Sequence, residues 1–136
     1  MQLKAYLTYN GNTEEAMNFI KDALGGTIES LMRFGDAPGD YSEADKNKVM
    51  HAVMQVADTT LFFSDGNEQN KVNFGNNISL SLNFNSDDEI TKAFNALSAG
   101  GQVTMPLQDT FWGAKFGMCI DKFGVNWLFN WDKPKS

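Results

Sequence analysis

From Ile78 to Phe84 apolar and polar residues alternate without a break, the period of a strand with one buried face. Shorter apolar runs predict the other strands. Gln2 to Tyr9 is apolar and aromatic and stops at Asn10-Gly11, a strong turn signal. Ala16, Phe19, Ile20 and Leu24 then recur at helical spacing, with Asn12 or Thr13 as the expected cap, Glu14 and Glu15 in the first turn, and Gly25-Gly26 as the stop. Thr27 to Arg33 reads as a strand. Phe34 to Asn47, with Gly, Pro, Asp and Ser and no sustained apolar period, reads as a surface loop. Lys48 to Val56 and Thr59 to Ser64 read as two strands joined at Ala57-Asp58.

After the polar stretch Asp65 to Asn76 the order repeats. The strand Ile78 to Phe84 leads into the capping box Ser86-Asp87-Asp88-Glu89, a stripe of Ile90, Phe94 and Leu97, and a second Gly-Gly stop at Gly100-Gly101. Three strands follow at Gln102 to Leu107, Gly113 to Asp121 and Val125 to Trp131, the last two joined by a turn containing Lys122-Phe123-Gly124. Each half spells strand, helix and three strands. The prediction is an α+β fold of two βαβββ modules, about 1–66 and 76–132, in one domain spanning 1–136. Phe19, Ile20, Phe94 and Leu97 are expected to be buried against Leu80, Leu82 and Trp127.

Charge and composition narrow the partners. A formal charge of −6 repels a phosphate backbone, which excludes nucleic acid as a first reading. No apolar run is long enough for a bilayer, and MQLKAYLTYN lacks the basic start and long apolar stretch of a signal peptide, so a cytoplasmic protein without membrane contact is expected. Cys119 is the lone cysteine and lies in an apolar stretch, the setting of a structural thiol rather than a nucleophile.

The stretches YLTYNGNTEEAMNFIKDALGG, GNNISLSLNF and VTMPLQDTFWGAKFGMCIDKFGVNW resemble the PhnB-like branch of the vicinal oxygen chelate superfamily, which includes glyoxalase I, bleomycin-resistance proteins and extradiol dioxygenases. The likeness covers nearly the whole chain. It implies a curved, partly closed mixed sheet with helices outside and a small-molecule ligand inside, and a homodimer. The superfamily's enzymes use a divalent ion to chelate two neighbouring substrate oxygens. Placed on that pattern, the ligand positions fall on Ala5, Phe62, Ser79 and Leu128, and a slip of one residue gives Tyr6, Phe63, Leu80 and Trp127 or Phe129. Neither set suits a divalent metal, so no metal and no cofactor are expected.

The remaining chemistry rests on few residues. His51 is the only histidine, in the strand VMHAVMQV, where alternation puts it on one face with Val53 and Gln55, opposite Met50, Ala52 and Met54. It is a candidate ligand contact and catalytic base, and equally a sheet histidine hydrogen-bonded to a neighbour. In the connection from Asp109 to Lys115, Phe111 and Trp112 offer flat contact area and Lys115 a cation for an anionic ligand. The competing account makes Trp112 a plug for one end of the sheet and Lys115 a solvated charge. By strand parity Ser79, Ser81, Asn126 and Asn130 form a polar set opposite Leu80, Leu82, Trp127 and Phe129, as a wet cavity requires. Asp36, Asp40, Glu43 and Asp45 lack the ligand spacing of a calcium loop and are expected to be solvated.

Three function classes follow. A small-molecule binding protein of the bleomycin-resistance type needs only a lined cavity. A metal-independent enzyme using His51 or Lys115 is the alternative. An interaction or scaffold role is the third. The methyltransferase and DNA-binding labels sometimes given to such sequences find neither a glycine-rich cofactor loop nor a basic stripe here.

Overall fold

The computed structural model describes residues 1–67, 69 and 71–135 and divides into two compact units, Met1–Asn73 and Phe74–Ser136. In the first unit β1 (Ala5–Thr8), α1 (Thr13–Leu24), β2 (Thr27–Arg33), α2 (Glu43–Lys46), β3 (Val49–Val56) and β4 (Thr59–Ser64) follow in chain order. Its sheet has the order β1-β4-β3-β2, with β1 and β4 parallel and the other pairs antiparallel. The second unit repeats this with β5 (Leu80–Asn83), α3 (Asp87–Ser98), β6 (Gln102–Asp109), β7 (Ala114–Ile120) and β8 (Asn126–Asp132) in the order β5-β8-β7-β6. Both are mixed four-stranded sheets with a helix on one face, so the fold is the α+β pair of βαβββ modules that the sequence predicts.

Packing follows from the alternation. In the first sheet Leu7, Ala52, Met54, Leu61 and Phe63 are buried, as are Ala16, Met17 and Ile20 of α1, which lies on β3 and β4. Phe19 is only half-buried, and it and Ile20 belong to the helix on this sheet. In the second sheet Ile90, Phe94 and Leu97 of α3 are buried, with the Phe94 ring edge-on to Phe129 at 5.0 Å. Leu80 is in register with Trp127 and Leu82 with Phe129, so this apolar set faces the helix as predicted. Gly117 lets α3 approach β7: a Cβ there would lie 2.9 Å from both Phe94 Cε1 and Leu107 Cδ2.

Three expectations need correction. The segment Phe34 to Asn47 is not a plain loop, since it holds a 3-10 turn at Phe34–Asp36 and the short α2, whose first turn is capped by Ser42 Oγ accepting from Asp45 N–H. Asn12 occupies the N-cap position of α1, but its side chain makes no capping hydrogen bond. The cap is the buried carboxylate of Asp65, whose Oδ1 accepts from the backbone of Gly11 and Thr13, each at 3.0 Å, and from Thr13 Oγ1. Finally, alternation in β3 breaks at its start. Met32 pairs with His51 and Arg33 with Val49, so Met50 has no partner; this bulge makes Val49 buried and Met50 half-buried, the reverse of an unbroken strand.

Candidate functional site

On the face of the first sheet away from α1, three neighbouring strands place three ring side chains together. Tyr6 of β1 is in register with Phe62 of β4, and Phe62 with Val53 of β3, two residues from His51 on the same face. The Tyr6 hydroxyl and His51 Nδ1 share a hydrogen bond of 3.2 Å. Ring centroids are 5.6 Å apart between His51 and Phe62, with the planes nearly stacked, and 5.9 Å between Tyr6 and Phe62. Lys4 Nζ stands 5.5 Å from the Phe62 centroid. Tyr6 remains 53% exposed, so the cluster presents surface rather than filling a core. His51 therefore does have the hydrogen-bonded neighbour of its bland reading, and also lies beside an aromatic platform.

The other candidates belong to the second unit. Lys115 is on the helix-bearing face, two residues from Gly117, and its ammonium donates to Asp87 Oδ1 at 2.5 Å in the first turn of α3. Its geometry is that of a clamp between β7 and the helix start. Phe111 and Trp112 occupy the tip of the β6–β7 hairpin, 97% and 60% exposed, with their rings edge-to-face at 5.0 Å. Trp112 thus plugs nothing within its own sheet. Ser81, Asn126 and Asn130 lie away from α3, and Ser79, exposed, precedes β5. Asn130 Nδ2 donates to Asn83 Oδ1 at 3.1 Å, and Asn126 Nδ2 to the Gly75 carbonyl at 3.0 Å.

The side chains at the superfamily's metal positions are poor ligands. Ala5 and Phe62 lie on opposite faces of their sheet, because Tyr6 is the register partner of Phe62; Leu128 pairs with Ser81, and Ser79 lies outside β5. Methyl, phenyl, alcohol and isobutyl groups offer no donor set for a divalent ion, and among the described residues no three His, Cys, Asp or Glu side chains are grouped to hold one. The residues do not fit the metal.

Sequence reasoning treated Tyr6 and Phe62 only as failed ligands and so missed their platform. Strand parity, corrected by one residue in β1, was the signal available. It also left Phe34 and Tyr41 in a presumed loop, although two aromatics among Gly, Pro and Asp mark a segment that packs. They line a pocket of about 560 Å³ at the end of the first sheet, which holds none of the predicted candidates.

Cys119 is buried, and burial first, with the nearby Asp121 charge second, pushes its thiol up to about 12. A thiol reagent at pH 8 is therefore expected to leave the native protein unmodified and to label one equivalent after denaturation. Rapid labelling of the native chain would remove the structural reading of Cys119.

The family model described as 3-demethylubiquinone-9 3-methyltransferase matches residues 1–129. Protein PA1353 from Pseudomonas aeruginosa is 41% identical and superposes with a TM-score of 0.89, over 98% of this chain and 99% of that one. A PhnB protein from Bacillus cereus is 27% identical with a TM-score of 0.78, over 96% and 99% of the two chains. Protein YjdN of Escherichia coli K12 is 29% identical over 96% of this chain and 95% of its own. At 10% identity, a glyoxalase/bleomycin resistance protein/dioxygenase family enzyme from Burkholderia phytofirmans shares the fold, with a TM-score of 0.62 over 94% and 97% of the chains.

Proposed function

We propose, because the chain belongs to the PhnB-like branch of the vicinal oxygen chelate superfamily, in the family described as 3-demethylubiquinone-9 3-methyltransferase, that it is a small-molecule binding protein working without the superfamily's metal. The observation that carries this reading is the cluster of Tyr6, His51 and Phe62. The Tyr6 hydroxyl meets His51 Nδ1 at 3.2 Å, Phe62 offers a flat apolar face, and Lys4 supplies a cation beside it. Such a set suits a small aromatic or anionic molecule carrying an oxygen for His51. In the second unit, the exposed Phe111 and Trp112 at the hairpin tip and the polar residues Ser79 and Asn126 are candidate contacts in their own right. The methyltransferase name is not carried over, because no glycine-rich loop follows a strand and opens a helix.

A thermal-shift screen of metabolites followed by calorimetry tests the proposal. Loss of one good contact costs about 1–2 kcal/mol, so His51→Ala and Tyr6→Phe are each expected to weaken the best ligand roughly five- to thirtyfold, with Lys115→Ala neutral for binding. Unchanged affinity in both site variants, with the fold intact, sinks the assignment. Turnover abolished by His51→Ala moves the protein to the second reading, a metal-independent enzyme, which the Tyr6–His51 hydrogen bond favours as a proton-handling pair.

A homodimer is part of the same proposal. The exposed pair Phe111 and Trp112 supports it, as unpaired aromatic surface of this kind marks association sites. Sedimentation equilibrium at micromolar concentration is expected to give twice the chain mass of 15.1 kDa. A monomer removes the dimer and leaves the rest.

A further inference from the structure

Asn10-Gly11 is the single Asn-Gly pair in the sequence. The side-chain carbonyl carbon of an asparagine is attacked most readily by the backbone nitrogen of a following glycine, because no Cβ shields that nitrogen and the chain turns freely there. The product is a five-membered succinimide. Gly11 has φ of 100°, a backbone conformation that favours glycine, so the turn before α1 retains this reactive dipeptide.

Both reacting groups are held by residues far along the chain. Asn10 Oδ1 accepts from Val72 N–H at 2.9 Å and Asn10 Nδ2 donates to the Val72 carbonyl at 3.0 Å, so the side-chain amide pairs with both main-chain groups of one residue. Gly11 N–H, which must lose its proton before the nitrogen can attack, donates to Asp65 Oδ1 at 3.0 Å. An amide anion beside a carboxylate is disfavoured by like charge, so Asp65 keeps the nucleophile in its unreactive form. The two locks differ in strength. Asp65 is buried and held by further bonds from Thr13 and Val49, whereas Asn10 is exposed and Val72 lies outside every helix and strand, where hydrogen bonds exchange readily with water. The Val72 lock opens first.

We propose that Asn10-Gly11 is a latent self-modification site, kept intact by Val72 and Asp65 and released to deamidate when the Val72 segment lifts away. The Gly11 nitrogen passes its proton to water and bonds to Asn10 Cγ; the Cγ–Nδ2 bond breaks, and ammonia leaves with a proton from water. Water then adds to either succinimide carbonyl and opens the ring to aspartate or isoaspartate, so one water is consumed for each ammonia released. Each product carries a carboxylate in place of the amide. The donor to the Val72 carbonyl is lost and a negative charge replaces it, so the pair cannot re-form and an opening of the segment becomes a permanent change of charge.

Incubation at mildly alkaline pH with peptide mass mapping tests the proposal, the readout being the gain of one mass unit in the peptide that contains Asn10. The folded parent is expected to deamidate at least about tenfold more slowly than the same chain unfolded in guanidinium. Val72→Pro removes the N–H that holds Oδ1 and should speed the reaction in the folded protein about three- to tenfold; Val72→Ala keeps both main-chain groups and should match the parent within about twofold. If Val72→Pro does not fold, the parent decides alone: guanidinium below the unfolding transition should raise the deamidation rate in step with hydrogen exchange of the Val72 amide. Equal rates in the folded and unfolded chain, a folded rate above the unfolded one (which would make Asp65 a base for the reaction), folded Val72→Pro and Val72→Ala variants that react alike, or a parent rate that does not follow Val72 exchange would each overturn the proposal.

Discussion

An Asp65→Ala variant is expected to melt roughly 10–15 °C below the parent protein, corresponding to about 3–4 kcal/mol of lost stability. Asp65 is 7% exposed and ties together three parts of the first unit. Oδ1 accepts from Gly11 and Thr13 and so caps α1; Oδ2 accepts from Val49 at the start of β3; and its own N–H donates to the Val49 carbonyl at 2.8 Å. Truncation leaves the Thr13 and Val49 donors buried without a partner, each costing about 1–3 kcal/mol, and removes the helix cap, worth about 1 kcal/mol. Some of that cost is recovered by water entering from the adjoining pocket. Asp65→Asn keeps one acceptor and turns an NH2 group towards donors, so it should fall between the two, near 2 kcal/mol. The exposed Asp40 serves as the control, with Asp40→Ala within about 0.5 kcal/mol of the parent. Denaturant melts read all three. A loss below about 1 kcal/mol for Asp65→Ala would show that this carboxylate is not the cap of α1.

Elements whose order is fixed by local period were legible in the sequence, and those fixed by distant contacts were not. The run from Ile78 to Phe84 gave both the existence of β5 and its face, because a two-residue period allows one assignment once Leu80 and Leu82 are inside. The strand VMHAVMQV was misread only at Met50, where the bulge opposite Met32 and Arg33 inserts one residue that a single strand cannot reveal. Asp65 followed the same logic. Its sequence neighbours Ser64 and Gly66 suggest a turn, whereas its role is set by a helix start more than fifty positions earlier. The candidate site was half legible: His51 was singled out as the only imidazole, but its partners Tyr6 and Phe62 come from strands whose pairing with β3 and with each other is a tertiary fact. Lys115 shows the converse. Proximity in sequence to Trp112 suggested a shared ligand, yet in a strand parity decides the face, and Lys115 shares its parity with Gly117 and Cys119 beneath α3.

The two Gly-Gly pairs look alike in the sequence, each closing a helix, and the second supplies the other large expected effect. In both pairs the first glycine is needed for its backbone: Gly25 and Gly100 have φ of 73° and 75°, the left-handed region that favours glycine. The second glycine is needed for space, and here the pairs differ. A Cβ on Gly26 would meet Met54 Sδ and Val56 Cγ2 at 3.0 Å, both ends of side chains that can turn aside. A Cβ on Gly101 would fall well inside van der Waals contact distance of the Ile120 carbonyl oxygen and 2.8 Å from the Asp121 carbonyl carbon, which are main chain. Main chain at that point cannot yield alone. Ile120 is in register with Gln102 at the start of β6, and Asp121 holds the following turn by accepting from Phe123 and Val125 N–H and from Trp127 Nε1 at 2.8 Å. Relief of the clash therefore requires β6 to part from β7 or the Asp121 turn to move with buried Trp127. Gly101→Ala is expected to cost about 3 kcal/mol or more, at the upper end for overpacking, against about 1 kcal/mol for Gly100→Ala, where only the left-handed backbone is penalised, and less than 2 kcal/mol for Gly26→Ala. Chemical denaturation of the three variants gives the ranking, and the tryptophan emission of Gly101→Ala should shift if Trp127 is disturbed while the parent spectrum survives in Gly100→Ala. Equal losses at positions 100 and 101 would mean that the close approach of β6 to the Ile120–Asp121 main chain is relieved without cost, and that the second glycine, like the first, serves only to end its helix.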